Sequence, residues 1–388
     1  MKPATAPRHY ALDLFRFLAA LSVVLFHYLY RGHAPDRPHD LSFAAIESVG
    51  KYGFMGVDLF FMISGFVILM SAARTDLAGF VISRITRLYP AFWCGVTLSA
   101  LAAVMFADPR FHIGLGQYLC NLTMMAGFVG VPPVDGVYWT LLVELKFYVL
   151  IGGLLLCGAM RRMPWFLGAW LAISLVDVAW PLPKPLAVLF FPTWSSYFIA
   201  GAAFYAISQQ RRSWIHWGLV AGSYCLALQH NQARLAELAE TLQQPYSIAV
   251  GGSLITFFYV AFALLALDQL KLLERPGFVV VGVLTYPLYL IHQNIGYMIF
   301  NRFGTDANKY FVLAATIALM LGMSYLIHTQ IERRWAGPFK LLLTRSHARL
   351  AAALAPYSPA LLKRRSAGQN ASAPPPLPLV EPKKRRAA

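Results

Sequence analysis

The sequence predicts an all-α protein, a polytopic bundle of about ten transmembrane helices. Of its 388 residues, 58% are hydrophobic and only 13% are charged, against about 25% charged in an ordinary soluble domain. The apolar residues occur in blocks about twenty residues long, which is the length that a helix needs to cross a hydrocarbon layer about 30 Å thick. Together these observations argue against a soluble enzyme, a fibrous protein and a disordered chain.

The predicted spans follow one another with short connections. They are residues 11–30, 52–72, 88–107, 138–158, 164–180, 188–207, 214–230, 246–267, 278–300 and 310–329. The seventh block is short and polar, and residues 115–128 could form a re-entrant or interfacial helix, so counts of nine and eleven stay open. We therefore expect a transmembrane domain over residues 1–340.

The chain beyond this domain changes in composition. Residues 341–365 begin with a basic amphipathic stretch, which is typical of an interfacial helix on a membrane surface. Residues 366–388 contain three consecutive prolines and close with basic residues, a pattern that predicts a disordered cytoplasmic tail.

Basic residues divide unevenly between the two sides of the predicted bundle. An even number of spans puts both termini on one side, and that side carries 23 of the 33 Lys and Arg residues, while the opposite loops carry 8. Since Lys and Arg concentrate in cytoplasmic loops, both termini are expected in the cytoplasm and the protein in the inner membrane. The net charge of +16 then mostly reflects orientation, and no nucleic acid partner is expected.

Ionisable side chains within the spans mark the expected site, because a charge inside a membrane is costly and usually faces the bundle interior. Arg16 and His27 lie eleven residues apart on the first span, so both point the same way, about 16 Å apart along the axis. Asp58 and Glu144 are placed at a depth similar to that of His27. The alternatives are an interfacial histidine, a helix-terminal aspartate and a helix-packing glutamate.

Two further groups of polar residues belong to this pattern. Arg84 and Arg87 share a helix face and form a fork suited to phosphate oxygens, although contact with anionic lipid is the alternative. Trp139, Tyr286 and His292 lie near the carboxylates and the histidine in the fourth and ninth spans. The His, Asp and Glu residues lie on different spans without ligand spacing, so no metal site is expected.

Five motifs in register carry a resemblance to a known family. They are Arg16-x10-His27, the GVDLFFMISGF stretch, Arg84-x2-Arg87-x2-Pro90, Trp139-x4-Glu144-x2-Phe147-Tyr148 and Tyr286-x2-Tyr289-Leu-x-His292. Together, over about residues 10–340, they resemble acyltransferase family 3, the integral membrane O-acyltransferases of bacterial surface carbohydrates. The chain departs from the closing Glu-x-Pro motif of many members, because five residues separate Glu332 from Pro338, so no role is carried over to Glu332.

The resemblance implies transfer of an acyl group, most often acetyl, from cytoplasmic acyl-CoA to a carbohydrate hydroxyl. The acceptor would be an exopolysaccharide, a lipopolysaccharide or a glycolipid intermediate. Arg84 and Arg87 would hold the CoA phosphates and Arg16 would lie along the pantetheine arm. His27 would then be the general base that removes the proton from the acceptor hydroxyl.

The remaining candidates complete the predicted mechanism. Glu144 or Asp58 would orient the imidazole, as the carboxylate does in a hydrolase triad, while Trp139, Tyr286 and His292 would lie on the acceptor side. Acyl-CoA enters as a substrate, and no permanently bound cofactor is expected. The rival interpretation is a transporter or flippase, which also has intramembrane charges, but the inverted repeat of many secondary transporters is missing.

Overall fold

The computed structural model describes residues 9–31 and 38–354, and within these ranges it contains helices and no β-strand. The long helices are α1 (Tyr10–Leu25), α2 (Gly56–Ala72), α3 (Leu77–Phe106), α4 (Trp139–Leu156), α5 (Met163–Ala179), α6 (Pro192–Gln209), α7 (Trp214–Leu242), α8 (Ile248–Ala266), α9 (Phe278–Phe303), α10 (Lys309–Leu326) and α11 (Arg333–Leu354). Short helices cover Glu47–Gly50, Leu115–Asn121 and Lys184–Phe190. Two π-helical segments, Phe26–Tyr30 and Ile327–Glu332, follow α1 and α10.

The predicted all-α membrane bundle is confirmed. Nine helical segments of the described chain are long and apolar enough to cross a membrane, and they contain α1 to α6 and α8 to α10. The seventh predicted span, residues 214–230, belongs to α7, which continues to Leu242 and is too polar to join these nine. α7 nevertheless crosses the bundle antiparallel to α6, because its Trp217 contacts Phe204 and its Arg234 lies over Trp194.

Two predicted boundaries differ from the structure. α3 begins at Leu77, eleven residues before the predicted start, because the side chain of Asp76 accepts a hydrogen bond from the Gly79 amide and caps the helix. The predicted re-entrant segment, residues 115–128, forms only the short helix Leu115–Asn121 and the beginning of a 3₁₀ turn at Ala126–Val129.

α2 and α6 approach each other unusually closely. A Cβ atom on Gly65 would collide with the carbonyl of Phe198, and one on Gly201 would collide with the carbonyl of Met62. Small residues permit this contact, and dispersion between the two backbones stabilises helix pairs inside a membrane. The contact fixes α2, and with it Asp58 and Ser64, against α6.

α9 packs against α1, α3 and α10. Hydroxyl groups from the segment that follows α1 and from the turn that precedes α4 fix its middle. The Tyr28 hydroxyl donates to the carbonyl of His292 at 2.6 Å, and the Tyr138 hydroxyl donates to the carbonyl of Leu290 at 3.1 Å. The buried carboxylate of Asp135 accepts a hydrogen bond from the Asn294 amide at 3.0 Å. These bonds lie just beyond Pro287, whose missing N–H weakens the helix there.

The chain divides into two compact units, Met1–Gly337 and Pro338–Ala388. The first contains α1 to α10 and all of the predicted site residues. The second is described up to Leu354, and this part is helical without a buried side chain. The predicted interfacial helix, residues 341–365, is therefore described to Leu354, while the predicted tail at 366–388 lies outside the described residues.

Candidate active site

Two cavities in the first unit contain most of the predicted site residues. The arginine cavity has a volume of about 140 Å³, and its lining includes Arg16, Arg84, Arg87, Glu144 and Tyr286. The histidine cavity has a volume of about 470 Å³, and its lining includes His27, Arg31, Trp139 and Arg234. Val57 and Tyr289 line both cavities, so these two side chains form the partition between them.

The guanidinium groups of the arginine cavity come from α1 and α3. Arg16 lies 3.5 Å from Asp13, one turn earlier on the same helix. Arg84 donates to the hydroxyl of Ser83 at 3.0 Å, and its guanidinium lies about 6 Å from the rings of Phe80 and Tyr148. The structure thus brings together the three arginines that the sequence assigned to the donor.

Arg87 forms an ion pair that the sequence analysis did not anticipate. Its guanidinium donates to Glu332 at 2.9 Å, and Nδ1 of His328 lies 2.7 Å from the other oxygen of the same carboxylate. Glu332 is buried, whereas the side chain of Arg87 is 46% exposed. The π-helical segment that ends at Glu332 brings this carboxylate to α3, and no sequence pattern signals the contact.

Glu144 lies in the arginine cavity, so the expected contact between Glu144 and His27 is wrong. One carboxylate oxygen accepts hydrogen bonds from the hydroxyls of Ser64, at 2.8 Å, and Tyr148, at 2.7 Å. Five residues along a helix displace a side chain by about 7.5 Å and turn it by about 140°. Glu144 therefore faces another cavity than Trp139, which lines the histidine cavity.

Tyr286 also lines the arginine cavity, so its expected place on the acceptor side is wrong. It lies six residues before His292 on α9, which corresponds to about 9 Å along the axis. Its hydroxyl donates to the carbonyl of Leu88 at 3.0 Å, and the guanidinium of Arg87 lies 5.5 Å from its ring centroid. Tyr286 is therefore part of the arginine cavity and not of the acceptor side.

Asp58 does not orient His27 either. Its buried carboxylate accepts hydrogen bonds from both terminal nitrogens of Arg234, at 2.7 and 2.5 Å. The guanidinium lies between Phe54 and Trp194, 4.9 and 5.0 Å from their ring centroids. Arg234 lies beyond the predicted span 214–230, but the extension of α7 to Leu242 brings it to α2, where it pairs with Asp58.

His27 is paired with a second histidine. Its Nδ1 lies 3.0 Å from Nε2 of His292, and Nδ1 of His292 lies 2.9 Å from the carbonyl oxygen of Tyr289. A carbonyl only accepts, so Nδ1 of His292 carries its proton and Nε2 accepts one from Nδ1 of His27. This assignment leaves the lone pair of His27 on Nε2, the nitrogen available for proton abstraction.

His292 is fully buried, so the expectation that it lies on the acceptor side is corrected. Its backbone carbonyl accepts the hydroxyl of Tyr28, the residue next to His27. The π-helical turn Phe26–Tyr30 contains both His27 and Tyr28, and such turns are frequent at functional sites. His292 therefore contacts His27 and helps to position it. Among residues 9–31 and 38–354, no group of three or more His, Cys, Asp or Glu side chains could hold a metal ion.

Comparisons with known proteins identify the family. The profile of a family described as "Acyltransferase domain" matches residues 9–329. Nodulation protein 10 of Rhizobium leguminosarum bv. viciae is 27% identical over 317 residues, covering 72% of this chain and 81% of that protein. Exopolysaccharide production protein ExoZ of Rhizobium meliloti (strain 1021) is 29% identical over 142 residues, covering 34% of this chain and 44% of that protein. No solved structure matches.

Proposed function

The chain belongs to acyltransferase family 3, and from this premise we propose that it moves an acyl group, most often acetyl, from cytoplasmic acyl-CoA to a hydroxyl of a carbohydrate. The acceptor would be an exopolysaccharide, a lipopolysaccharide or a glycolipid intermediate. The names of two relatives, one a nodulation protein and one an exopolysaccharide production protein, support a carbohydrate acceptor.

One observation carries the proposal: two chemically different cavities meet at a partition of two side chains. Guanidinium groups line the first cavity, and they suit the phosphates of CoA because a planar fork binds phosphate oxygens bidentately. A histidine with its lone pair on Nε2 lines the second. Acyl-CoA is anionic at one end and reactive at the other. It fits this arrangement if its phosphates lie in the arginine cavity and its thioester passes between Val57 and Tyr289 to reach the histidine cavity.

The orientation follows from the distribution of charge. The predicted loops on the side of Arg84 and Arg87, counted together with both termini, carry 23 of the 33 Lys and Arg residues, and such segments are normally cytoplasmic. We place the protein in the inner membrane with both termini in the cytoplasm. The arginine cavity is then open to cytoplasmic acyl-CoA, and the acceptor reaches His27 from the opposite side.

The chemical step uses His27 as general base and then as general acid. Nε2 of His27 takes the proton of the acceptor hydroxyl as the oxygen attacks the thioester carbonyl. The tetrahedral intermediate collapses as the C–S bond breaks, and the sulfur leaves with the proton from the imidazolium. The products are an ester on the acceptor and free CoA, and no external oxidant, reductant or metal is required.

His292 supports this step from behind the base. While the hydroxyl proton resides on His27, the imidazolium donates from Nδ1 to Nε2 of His292, whose own proton is held by the Tyr289 carbonyl. The contact spreads the positive charge and fixes the ring orientation, which is the task of the carboxylate in a hydrolase triad.

Arg87 and Glu332 prepare the donor side. The ion pair holds the exposed guanidinium of Arg87 near that of Arg84, three residues earlier on α3. Because the position of Arg87 is fixed before the donor binds, less conformational entropy is lost when CoA phosphates arrive.

The proposal is tested with purified protein in detergent or nanodiscs. Thiol release from acetyl-CoA should depend on added carbohydrate, and mass spectrometry should find an O-acyl group on the surface glycans of a complemented strain but not of the deletion strain. Succinyl-CoA tests the acyl chain. A transporter or flippase would release no thiol, and the glycans of the deletion and complemented strains would carry the same ester groups. That result would reject the proposal.

A further inference from the structure

The histidine cavity contains an aromatic wall that the proposed chemistry does not use. The rings of Trp139 and Trp194 lie 5.2 Å apart between centroids, with their planes inclined by 39°. Phe26 and Phe54 also line this cavity, and the ring of Phe26 contacts both His27 and Phe54. Trp139 comes from α4 and Trp194 from α6, so the wall depends on the tertiary fold and has no local motif.

Polar side chains line the same cavity as this wall. They are Arg31, Arg234, Glu237, Thr241 and Gln293. Their formal charges nearly cancel, because Glu237 offsets Arg31 and the buried carboxylate of Asp58 neutralises Arg234. A cavity with many donors and acceptors but little net charge favours an uncharged polar ligand over an anionic one.

Arg234 is held rigidly beside this wall. Asp58 binds both of its terminal nitrogens, and the rings of Phe54 and Trp194 enclose its guanidinium. Its remaining donor, Nε, is buried and has no hydrogen-bond partner in the described part of the chain. A buried donor without an acceptor is costly, and a ligand oxygen reaching it after a small movement of the side chain would remove that cost.

We infer that the wall of Trp139 and Trp194 is a subsite for an uncharged pyranose ring of the acceptor. Such a ring has apolar C–H faces, which pack on aromatic rings, and a rim of hydroxyls, which bind polar side chains. The cavity volume of about 470 Å³ lies within the range of roughly 300–1,000 Å³ found for small-molecule sites. The inference rests on the proposed function only where it requires the bound ring to present a hydroxyl to Nε2 of His27.

Saturation-transfer NMR on the purified full-length protein tests the subsite with two probes, a β-1,4-linked glucose trisaccharide and the corresponding glucuronate trisaccharide. The glucose probe should bind the wild type, and Trp194→Ala should raise its Kd about tenfold, as expected for loss of a central aromatic contact. Trp194→Phe keeps a ring and should stay within about threefold of wild type. The matched control is Trp165→Ala, because Trp165 lies on α5, is 74% exposed and lines neither cavity.

The outcomes separate this inference from the proposed function. If the protein releases no thiol from acyl-CoA but binds the glucose probe in a Trp194-dependent manner, the proposed reaction fails and the subsite stands. The subsite is rejected when the glucose probe does not bind, or binds equally well to Trp194→Ala protein that keeps the melting temperature of the wild type. It is also rejected when the glucuronate probe binds more tightly and its affinity falls with added salt, since that pattern indicates an anion site.

Discussion

His27 has its lone pair on Nε2 because its other nitrogen donates to a neutral partner. A carboxylate in place of His292 would also orient the imidazole, but it would add a negative charge at a fully buried position inside the bundle. Such a charge costs several kcal/mol unless a cation accompanies it. A neutral histidine whose proton is held by a backbone carbonyl gives the orientation without that cost.

Replacing His27 tests the assignment of the base. His27→Ala should lower kcat by about 10²–10⁴-fold, because it removes proton abstraction and leaves positioning intact. Acyl transfer is measured by thiol release, and insertion is checked by membrane fractionation. His112→Ala is the control, since His112 lies in an exposed segment and lines neither cavity. Near-normal turnover by well-folded His27→Ala protein would contradict the assignment.

The paired arginines of α3 should act on donor binding. Arg84→Ala combined with Arg87→Ala should chiefly raise the KM for acyl-CoA and leave kcat less affected, because a phosphate clamp binds substrate and transition state alike. Arg161→Ala with Arg162→Ala removes the same charge from a segment that lines neither cavity and should leave the KM unchanged. If both double variants have the same KM for acyl-CoA, the arginines of α3 contact lipid rather than CoA.

Among the helical elements, α9 links the two cavities. Its Tyr289 forms part of the partition, and the Tyr289 hydroxyl lies 2.9 Å from that of Thr140 on α4. The backbone carbonyl of the same residue accepts the proton of His292. One residue therefore separates the two cavities by its side chain and positions the two histidines by its backbone.

The partition can be tested by changing only the side chain of Tyr289. Tyr289→Trp should lower kcat by about a hundredfold, because a larger ring misplaces the thioester, while CoA binding and the pH profile stay unchanged. Tyr289→Phe removes the bond to Thr140 but keeps the ring, and it should remain active. A shifted pH profile in the Trp variant would instead assign the loss of activity to a disturbed His292.

The close contact of α2 and α6 predicts a sharp asymmetry between two glycines. Gly201→Val should destabilise the protein by about 1–3 kcal/mol, because the new side chain collides with the backbone of α2. Gly153→Val should have little effect, because a Cβ atom there meets no atom within 4 Å. Thermal unfolding in detergent measures both variants, and equal melting temperatures would contradict the observed helix contact.

Hydropathy predicted the helices of the bundle well because each is a block of apolar residues near the thickness of a membrane. Hydropathy did not predict the start of α3 or the end of α7, because these parts of the two helices contain charged residues. Arg87 and Arg234 are tolerated there because Glu332 and Asp58 neutralise them. A linear pattern cannot reveal such partners, since they lie 245 and 176 residues away.

Over the whole molecule, the sequence singled out polar residues of both cavities but divided them incorrectly between the two. Glu144 and Tyr286 were grouped with His27, although both line the arginine cavity. The displacement along a helix that separates the cavities is about 7.5–9 Å, less than two turns. Span boundaries inferred from hydropathy are too soft to resolve that difference, so only the packing of α4 and α9 could assign these residues.

The orientation of the bundle determines whether the acyl group must cross the membrane. Glu274, close before α9, accepts a hydrogen bond from the Tyr10 amide, so α1 and α9 begin at the same end. Asn301, near the end of α9, donates to Asp108, which follows the end of α3, so these two helices terminate at the other end. With cytoplasmic termini, the arginine cavity is nearer the cytoplasm and the histidine cavity is nearer the outside.

Two glycines in exposed connections test this orientation. Gly114 precedes the short helix Leu115–Asn121, Gly277 precedes α9, and a Cβ atom at either position meets no atom within 4 Å. With Cys94, Cys120, Cys157 and Cys225 replaced, Gly114→Cys should react with an impermeant maleimide on intact spheroplasts. Gly277→Cys should react only after permeabilisation. The opposite pattern would place His27 toward the cytoplasm, and the acyl group would then reach its acceptor without crossing the membrane.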